Sequence, residues 1–134
     1  MRLLLDTHIL LWAITDAPKL SGTARKMIED IKNTICYSVV SVWEIAIKHA
    51  AHPDSVSFSG KVFAAYCEEA GFQQITLMTP HIYAFETLSR EKDAPPHRDP
   101  FDKILIAQAK AENILFLTHD ALLPYYNEPC IIFV

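Results

Sequence analysis

Five short apolar or β-branched runs, Arg2 to Leu5, Ile35 to Ser38, Gln74 to Leu77, Leu115 to Leu117 and Ile131 to Phe133, alternate with segments of helical spacing. Runs of this kind suit strands buried on both faces. Helices are expected over Thr7 to Ala13, Thr23 to Lys32, Val42 to Ala50, Phe58 to Ala70, His81 to Leu88 and Phe101 to Glu112. Met27, Ile28 and Ile31 share one face, as do Ile45, Ala46 and His49, and Val62, Phe63 and Tyr66, while Gly71 stands where a helix C-terminus belongs. The strongest helical pattern is the last, with Ile104, Leu105, Ala107 and Gln108 as its inward stripe. Strands alternating with helices predict an α/β fold: a three-layer sandwich around a central, mostly parallel sheet of about five short strands. Parallel strands end along one edge, and ligands bind at that edge.

The chain has 134 residues, 51% of them hydrophobic and only three of them glycine, which excludes a low-complexity, disordered segment. Residues 1–134 are read as a single domain. The longest unbroken apolar run, Ile9 to Ile14, is far short of a membrane helix, and the first run, Leu3 to Leu5, stops at Asp6 before a signal peptide can form. No membrane partner is therefore expected, and the cytoplasm is the expected location. Cys36, Cys67 and Cys130 are far apart with no CxxC pair, so they are expected as reduced thiols in the core. The formal net charge of −4 provides no overall field to draw in nucleic acid. A polyanionic partner would have to meet a local basic patch or a bound cation.

The acids are the informative residues. Asp6 directly follows the first strand, Asp120 comes three residues after Leu117, and Glu44 six after Ser38. Asp102 opens the strongest helix, with Asp99 one turn earlier. Each has a structural explanation. Asp6 and Asp120 suit N-caps, Ser41-Val42-Trp43-Glu44 fits a capping box, and Asp99-Pro100 reads as a cap followed by proline at the first helical position. Taken together they are harder to explain as caps, because a parallel sheet would bring these positions to one edge. Clustered carboxylates repel one another unless protons or a cation intervene. Oxygen donors without Cys or His at metal spacing suit a hard cation, Mg²⁺ or Mn²⁺. Acids holding such a cation suggest phosphodiester hydrolysis, in which the cation activates water and neutralises phosphoryl charge. Thr7, Ser41 and Thr118 are placed to support such a site, or to serve as ordinary cap and turn residues.

Four segments in order resemble the PIN-domain family, and within it the VapC toxins of type II toxin–antitoxin pairs. They are Leu3-Leu4-Leu5-Asp6-Thr7-His8, Ser41-Val42-Trp43-Glu44-Ile45-Ala46-Ile47-Lys48, Arg98 through Ala109, and Leu117-Thr118-His119-Asp120. The resemblance implies a metal-dependent endoribonuclease with Asp6, Glu44, Asp102 and Asp120 as its catalytic acids. Asp6, Asp102 and Asp120 would hold Mg²⁺ or Mn²⁺, and Glu44 would hold or deprotonate the attacking water. Asp99 is either the cap of its helix or an extra acid, and Pro100 favours the cap. The implied partners are an RNA substrate, a cognate antitoxin protein and a second copy of the chain in a homodimer. The apolar helical faces up to Leu88 are wider than one small sandwich needs to bury, in keeping with a dimer.

Among the cations, Lys48, Arg98 and Lys103 are the candidate phosphate contacts near the acids, with Arg25 and Lys26 further off; Glu44 and Lys48 also fit a helix-surface pair. His8 and His119 flank two acids, but lone histidines beside caps are commonly packed or solvated. Trp12 and Trp43 are expected in the core or at a dimer surface, although aromatic rings also stack on RNA bases. Pro124-Tyr125-Tyr126 reads as an exposed aromatic turn. Two other readings remain: a PIN domain of RNA processing or decay, and a non-catalytic α/β module that binds a partner protein. A phosphotransfer domain is disfavoured, because the second aspartate it needs two residues after Asp6 is His8.

Overall fold

In the computed structural model, which describes residues 1–134, the run Arg2–Leu5 forms β1 at the centre of a five-stranded sheet. On one side lie β2 (Thr34–Ser38) and β3 (Gln73–Ile75), on the other β4 (Leu115–Thr118) and β5 (Ile131–Phe133), giving the order β3-β2-β1-β4-β5. Every pairing is parallel, with Leu4 in register with Cys36 on one side and Phe116 on the other. This is the α/β sandwich expected from the strand and helix alternation.

Side chains alternate across the sheet, so the unbroken leucine run of β1 feeds two cores. Leu3 and Leu5 pack on one face with Tyr37, Ile45, Phe63 and Cys67, while Leu4 packs on the other with Leu105, Ile106, Ala109 and Phe116. The first core is covered by α1 (Thr7–Ile14), α2 (Gly22–Glu29), α3 (Val39–Ala51) and α4 (Gly60–Glu69). The second is covered mainly by α6 (Pro100–Glu112), against which α5 (Thr79–Glu86) packs. Gly60 lets α4 approach α3 closely, since a Cβ there would lie 2.9 Å from the Val42 carbonyl oxygen. Cys36, Cys67 and Cys130 are free thiols. No helix is long and apolar enough to cross a membrane.

Several local expectations are corrected. The third helix begins at Val39, with the Ser38 hydroxyl accepting from the Val40 amide, so Ser41 lies inside the helix and the expected Ser41–Glu44 capping box does not form. The second helix stops at Glu29 because Asp30 turns extended, leaving Ile31 98% exposed instead of on the expected stripe. Inward residues of α6 include Ile106 and Ala109 as well as Leu105, Ala107 and Gln108, while Ile104 is only half-buried. Asp120 opens no α-helix: its carboxylate accepts from the Leu122 amide ahead of a 3₁₀ turn, Leu123–Tyr125. Tyr126, expected on an exposed turn, is buried. Gly71, at φ +85°, follows α4 as expected of a helix C-terminal glycine.

The chain builds outward from β1 through β2 to β3, then crosses back through α5 and α6 to β4 on the other side of β1. The strand order therefore reverses between β1 and β4, and the crevice at their C-terminal ends is where open α/β sheets bind ligands.

Candidate functional site

Asp6 sits at that crevice, immediately past β1, as the N-cap of α1. It is nearly fully buried, and both of its oxygens are held: the Thr7 amide donates to Oδ1 at 2.7 Å and the Thr118 hydroxyl to Oδ2 at 2.7 Å. Burial raises its pKa above the ordinary value, with the Thr118 and Thr7 hydrogen bonds opposing. Thr118 ends β4 and also accepts from the Asp120 amide at 3.0 Å, so one hydroxyl fixes the positions of two acids. The cap reading of Asp6 is thus geometrically true, but a cap has no need of a second, cross-sheet partner.

Glu44 reaches the same edge from the second turn of α3 and is also buried. The Thr7 hydroxyl donates to its Oε1 at 2.8 Å and lies 2.9 Å from the Ser41 hydroxyl. Because Thr7 has one proton, already given to Glu44, Ser41 must donate to Thr7. Lys48, one turn further along α3, places Nζ 2.7 Å from Glu44 Oε2. Thr7, Ser41 and Thr118 therefore all contact acids or one another in a continuous buried network.

Asp102 enters from the first turn of α6, whose N-cap is Asp99: its Oδ1 accepts from the Phe101 amide at 2.9 Å and the Asp102 amide at 3.4 Å. Helices in parallel α/β units run antiparallel to the strands, which brings the α6 N-terminus to the strand C-termini. Burial, and after it the negative charges of Asp6, Asp99, Glu44 and Asp120, push the Asp102 carboxyl up to about 8. The hydrogen bonds through Thr7 and Thr118 and the closeness of Asp102 to Asp120 place these acids in one locality.

His97 completes this locality and was not singled out by sequence reasoning. Its Nε2 lies 3.2 Å from Asp102 Oδ2 and its Nδ1 2.9 Å from the Tyr126 hydroxyl. A neutral imidazole has one N–H and one lone pair, so Asp102 and Tyr126 take opposite roles on the ring. Burial lowers the His97 pKa, with Asp120 opposing and the nearby Arg90 adding to the effect. The Arg90 guanidinium lies 5.3 Å over the Tyr126 ring, its Nε and Nη2 buried without hydrogen-bond partners. One ligand atom each from His97, Asp102 and Asp120 falls within 4.8 Å of the others. His97 thus brings a ring nitrogen beside the carboxylate oxygens of Asp102 and Asp120. The only signal in the sequence is a histidine directly after Pro95-Pro96, a pair that marks a loop.

The candidate phosphate contacts divide. Lys48 is engaged by Glu44, Lys103 holds Nζ 4.3 Å over the Phe85 ring, and Arg98 is exposed without an ion pair. Arg25 pairs with Asp16 instead, at 2.7 Å. On the side of the site formed by Asp6 and Asp120, a cavity of about 330 Å³ is lined also by His8, Trp12, Lys19 and His119. Trp12 is half-buried there, while Trp43 is 58% exposed on α3.

The donor set fits a divalent cation. Carboxylates gathered in a buried place, with Asp102 raised to about 8 by burial first and by its acidic neighbours second, would gain from a cation at the point where they converge.

Comparison with known proteins places this arrangement in context. The family model described as the PIN domain matches residues 3–127. No curated protein matches the chain in sequence. Among solved structures, VapBC2 from Rickettsia felis, bound to a DNA fragment from their promoter, is similar at a TM-score of 0.66 and 15% identity, over 100% of this chain and 98% of that one. FitAcB from Neisseria gonorrhoeae is similar at a TM-score of 0.52 and 17% identity, over 90% of this chain and 88% of that one.

Proposed function

The chain belongs to the PIN-domain family, and from that premise we propose that it is a Mg²⁺- or Mn²⁺-dependent endoribonuclease, the toxin of a type II toxin–antitoxin pair. The observation that carries the reading is the convergence of Asp6, Glu44, Asp102 and Asp120 at the sheet's switch point, with Thr7 and Thr118 linking the acids by hydrogen bonds. Asp6, Asp102 and Asp120 would hold the cation, with Thr118 fixing Asp6 and His97 steadying Asp102. The bound cation supplies Lewis acidity that eases deprotonation of water and offsets charge developing on the phosphoryl oxygens.

Glu44 is the proton acceptor for the attacking water. Thr7 and Lys48 each hold one of its oxygens, which fixes the carboxylate plane against the crevice. Asp99 serves as the cap that orients the first turn of α6, and so the Asp102 backbone. Arg98 is free to receive a flanking phosphate, as is Lys103 once drawn from Phe85, and Lys48 can receive one beside Glu44 without leaving it.

Residues 1–134 act as one nuclease unit in this reading, working in the cytoplasm against cellular RNA and held in check by an antitoxin. The toxin assignment is supported by the likeness in fold to a VapBC complex. A homodimer is part of the same reading, because Trp43, Leu77, Met78, Ile82 and Tyr83 are exposed around the edge between α3, α5 and α6.

Purified protein is expected to cut single-stranded RNA with Mg²⁺ or Mn²⁺, to stop with EDTA, and to lose cleavage in Asp6→Asn. Equal cutting in excess EDTA overturns the mechanism. Expression without the neighbouring antitoxin should arrest growth; cleavage in vitro without arrest would favour a processing or decay nuclease.

A further inference from the structure

We propose that the cavity lined by Asp6, His8, Trp12, Lys19, His119 and Asp120 receives one unpaired nucleobase of the RNA strand being cut. The inference rests on the nuclease reading for the identity of the strand, and its own support is the construction of the cavity. Asp6 and Asp120 belong both to the acid cluster and to the cavity wall, so a phosphodiester at the acids leaves an adjoining nucleoside at its mouth.

Beside those acids the lining carries aromatic rings. Trp12 meets His119 edge-on at 5.6 Å and 71°, His119 stacks on Phe133 at 5.3 Å and 18°, and His8 lies 6.0 Å from Trp12. Four rings thus form a continuous array, although His8 and His119 are exposed and Phe133 is 51% exposed. Water-facing rings beside charged groups gain by stacking on a flat, polar-edged partner such as a base. The cavity's volume of about 330 Å³ is at the lower end of the range for sites that take a small molecule.

The polar groups match a base edge. His119 Nδ1 lies 2.6 Å from the Val134 carbonyl oxygen, which can only accept, so Nδ1 carries the proton. That leaves Nε2 of the neutral ring as an acceptor with no protein partner, suited to an N–H of a base. Lys19 is exposed and in no ion pair, and provides a donor for a base carbonyl or the flanking phosphate. A second metal site is the rival use of these histidines and acids, but the one group of three ligand atoms that lie close enough together is His97, Asp102 and Asp120, of which only Asp120 borders the cavity. A base already paired in a duplex cannot turn its face and edge into such a cavity, so the substrate is single-stranded at this nucleotide.

Trp12 is one of two tryptophans, so a Trp43→Phe chain reports on it alone. With Glu44→Gln added to prevent cutting, and Mg²⁺ present, a single-stranded RNA hexamer is expected to change Trp12 emission. The same hexamer with abasic sugars, or held in a duplex, should bind at least tenfold more weakly. In the cutting enzyme, Trp12→Leu and His119→Ala should raise KM at least tenfold with kcat within threefold, and Trp12→Phe should restore KM. An emission change indifferent to the bases, no binding of the hexamer, or an unchanged KM in His119→Ala overturns the cavity assignment even where RNA is cut with Mg²⁺. A base-dependent emission change in a chain that cuts no RNA would keep the cavity and overturn the nuclease reading.

Discussion

The Thr118 hydroxyl donates to Asp6 Oδ2 at 2.7 Å, joining two residues 112 positions apart across the point where the strand order reverses. The same oxygen accepts from the Asp120 amide, so the geometry of both acids depends on one side chain at the end of β4. Thr118→Val keeps the shape and removes the hydroxyl, leaving a buried carboxylate oxygen and an amide without their partner. A loss of about 1 to 3 kcal/mol is expected in denaturant melts, together with a weaker rise in Tm on adding Mn²⁺.

The second expectation concerns pH in the absence of metal. Asp102 is raised from 3.8 to about 8, so the folded protein binds a proton that the unfolded chain has released. Its contribution to stability is complete below the unfolded value and is lost as pH rises through about 8; Asp6, also raised by burial, acts in the same direction. His97 acts oppositely: burial lowers it, so the folded protein loses stability as pH falls below 6.5. Between pH 6.5 and 8 the carboxyls dominate, and metal-free Tm should fall across this window. Asp102→Asn should flatten that fall, as melts in EDTA at stepped pH would measure.

Much of this arrangement was legible in the sequence because it depends on periodicity and on strand ends. Leu3 to Leu5 reads as a doubly buried strand, and the position of Asp6 and Asp120 just past strands follows once the sheet is parallel. Helix starts were less legible. Ser38 and Ser41 are both good caps, and only the packing of Val40 into the second core selects Ser38. His97 and Tyr126 were hidden for a different reason: they meet 29 positions apart, each outside the named helices and strands, where no repeat marks which side chains turn inward. Trp12 and His119 carry no spacing signal at all, since their meeting depends on the register of β4 against β1.

Caps and metal-holding acids separate by substitution. Asn caps a helix about as well as Asp, so Asp99→Asn should be nearly neutral, whereas Asp99→Ala should cost about 1 kcal/mol with or without Mg²⁺. Asp6→Asn and Asp102→Asn should leave metal-free stability unchanged or improve it, by relieving repulsion, and abolish the rise in Tm with Mg²⁺. Thermal melts of the four variants distinguish the two patterns. Loss of the Mg²⁺ effect in Asp99→Asn, with Asp102→Asn retaining it, would exchange their roles.

Calorimetric titration of Mn²⁺ into the chain at pH 7, repeated in buffers of different ionisation enthalpy, tests the acid centre most directly. With its carboxyl at about 8, Asp102 is mostly protonated at that pH and must release its proton to hold a cation. Saturable binding is expected that releases close to one proton per cation, a release that fades at pH 9, with loss of binding in Asp102→Asn. Binding that is absent, or that persists undiminished and without proton release in Asp102→Asn, would contradict that expectation.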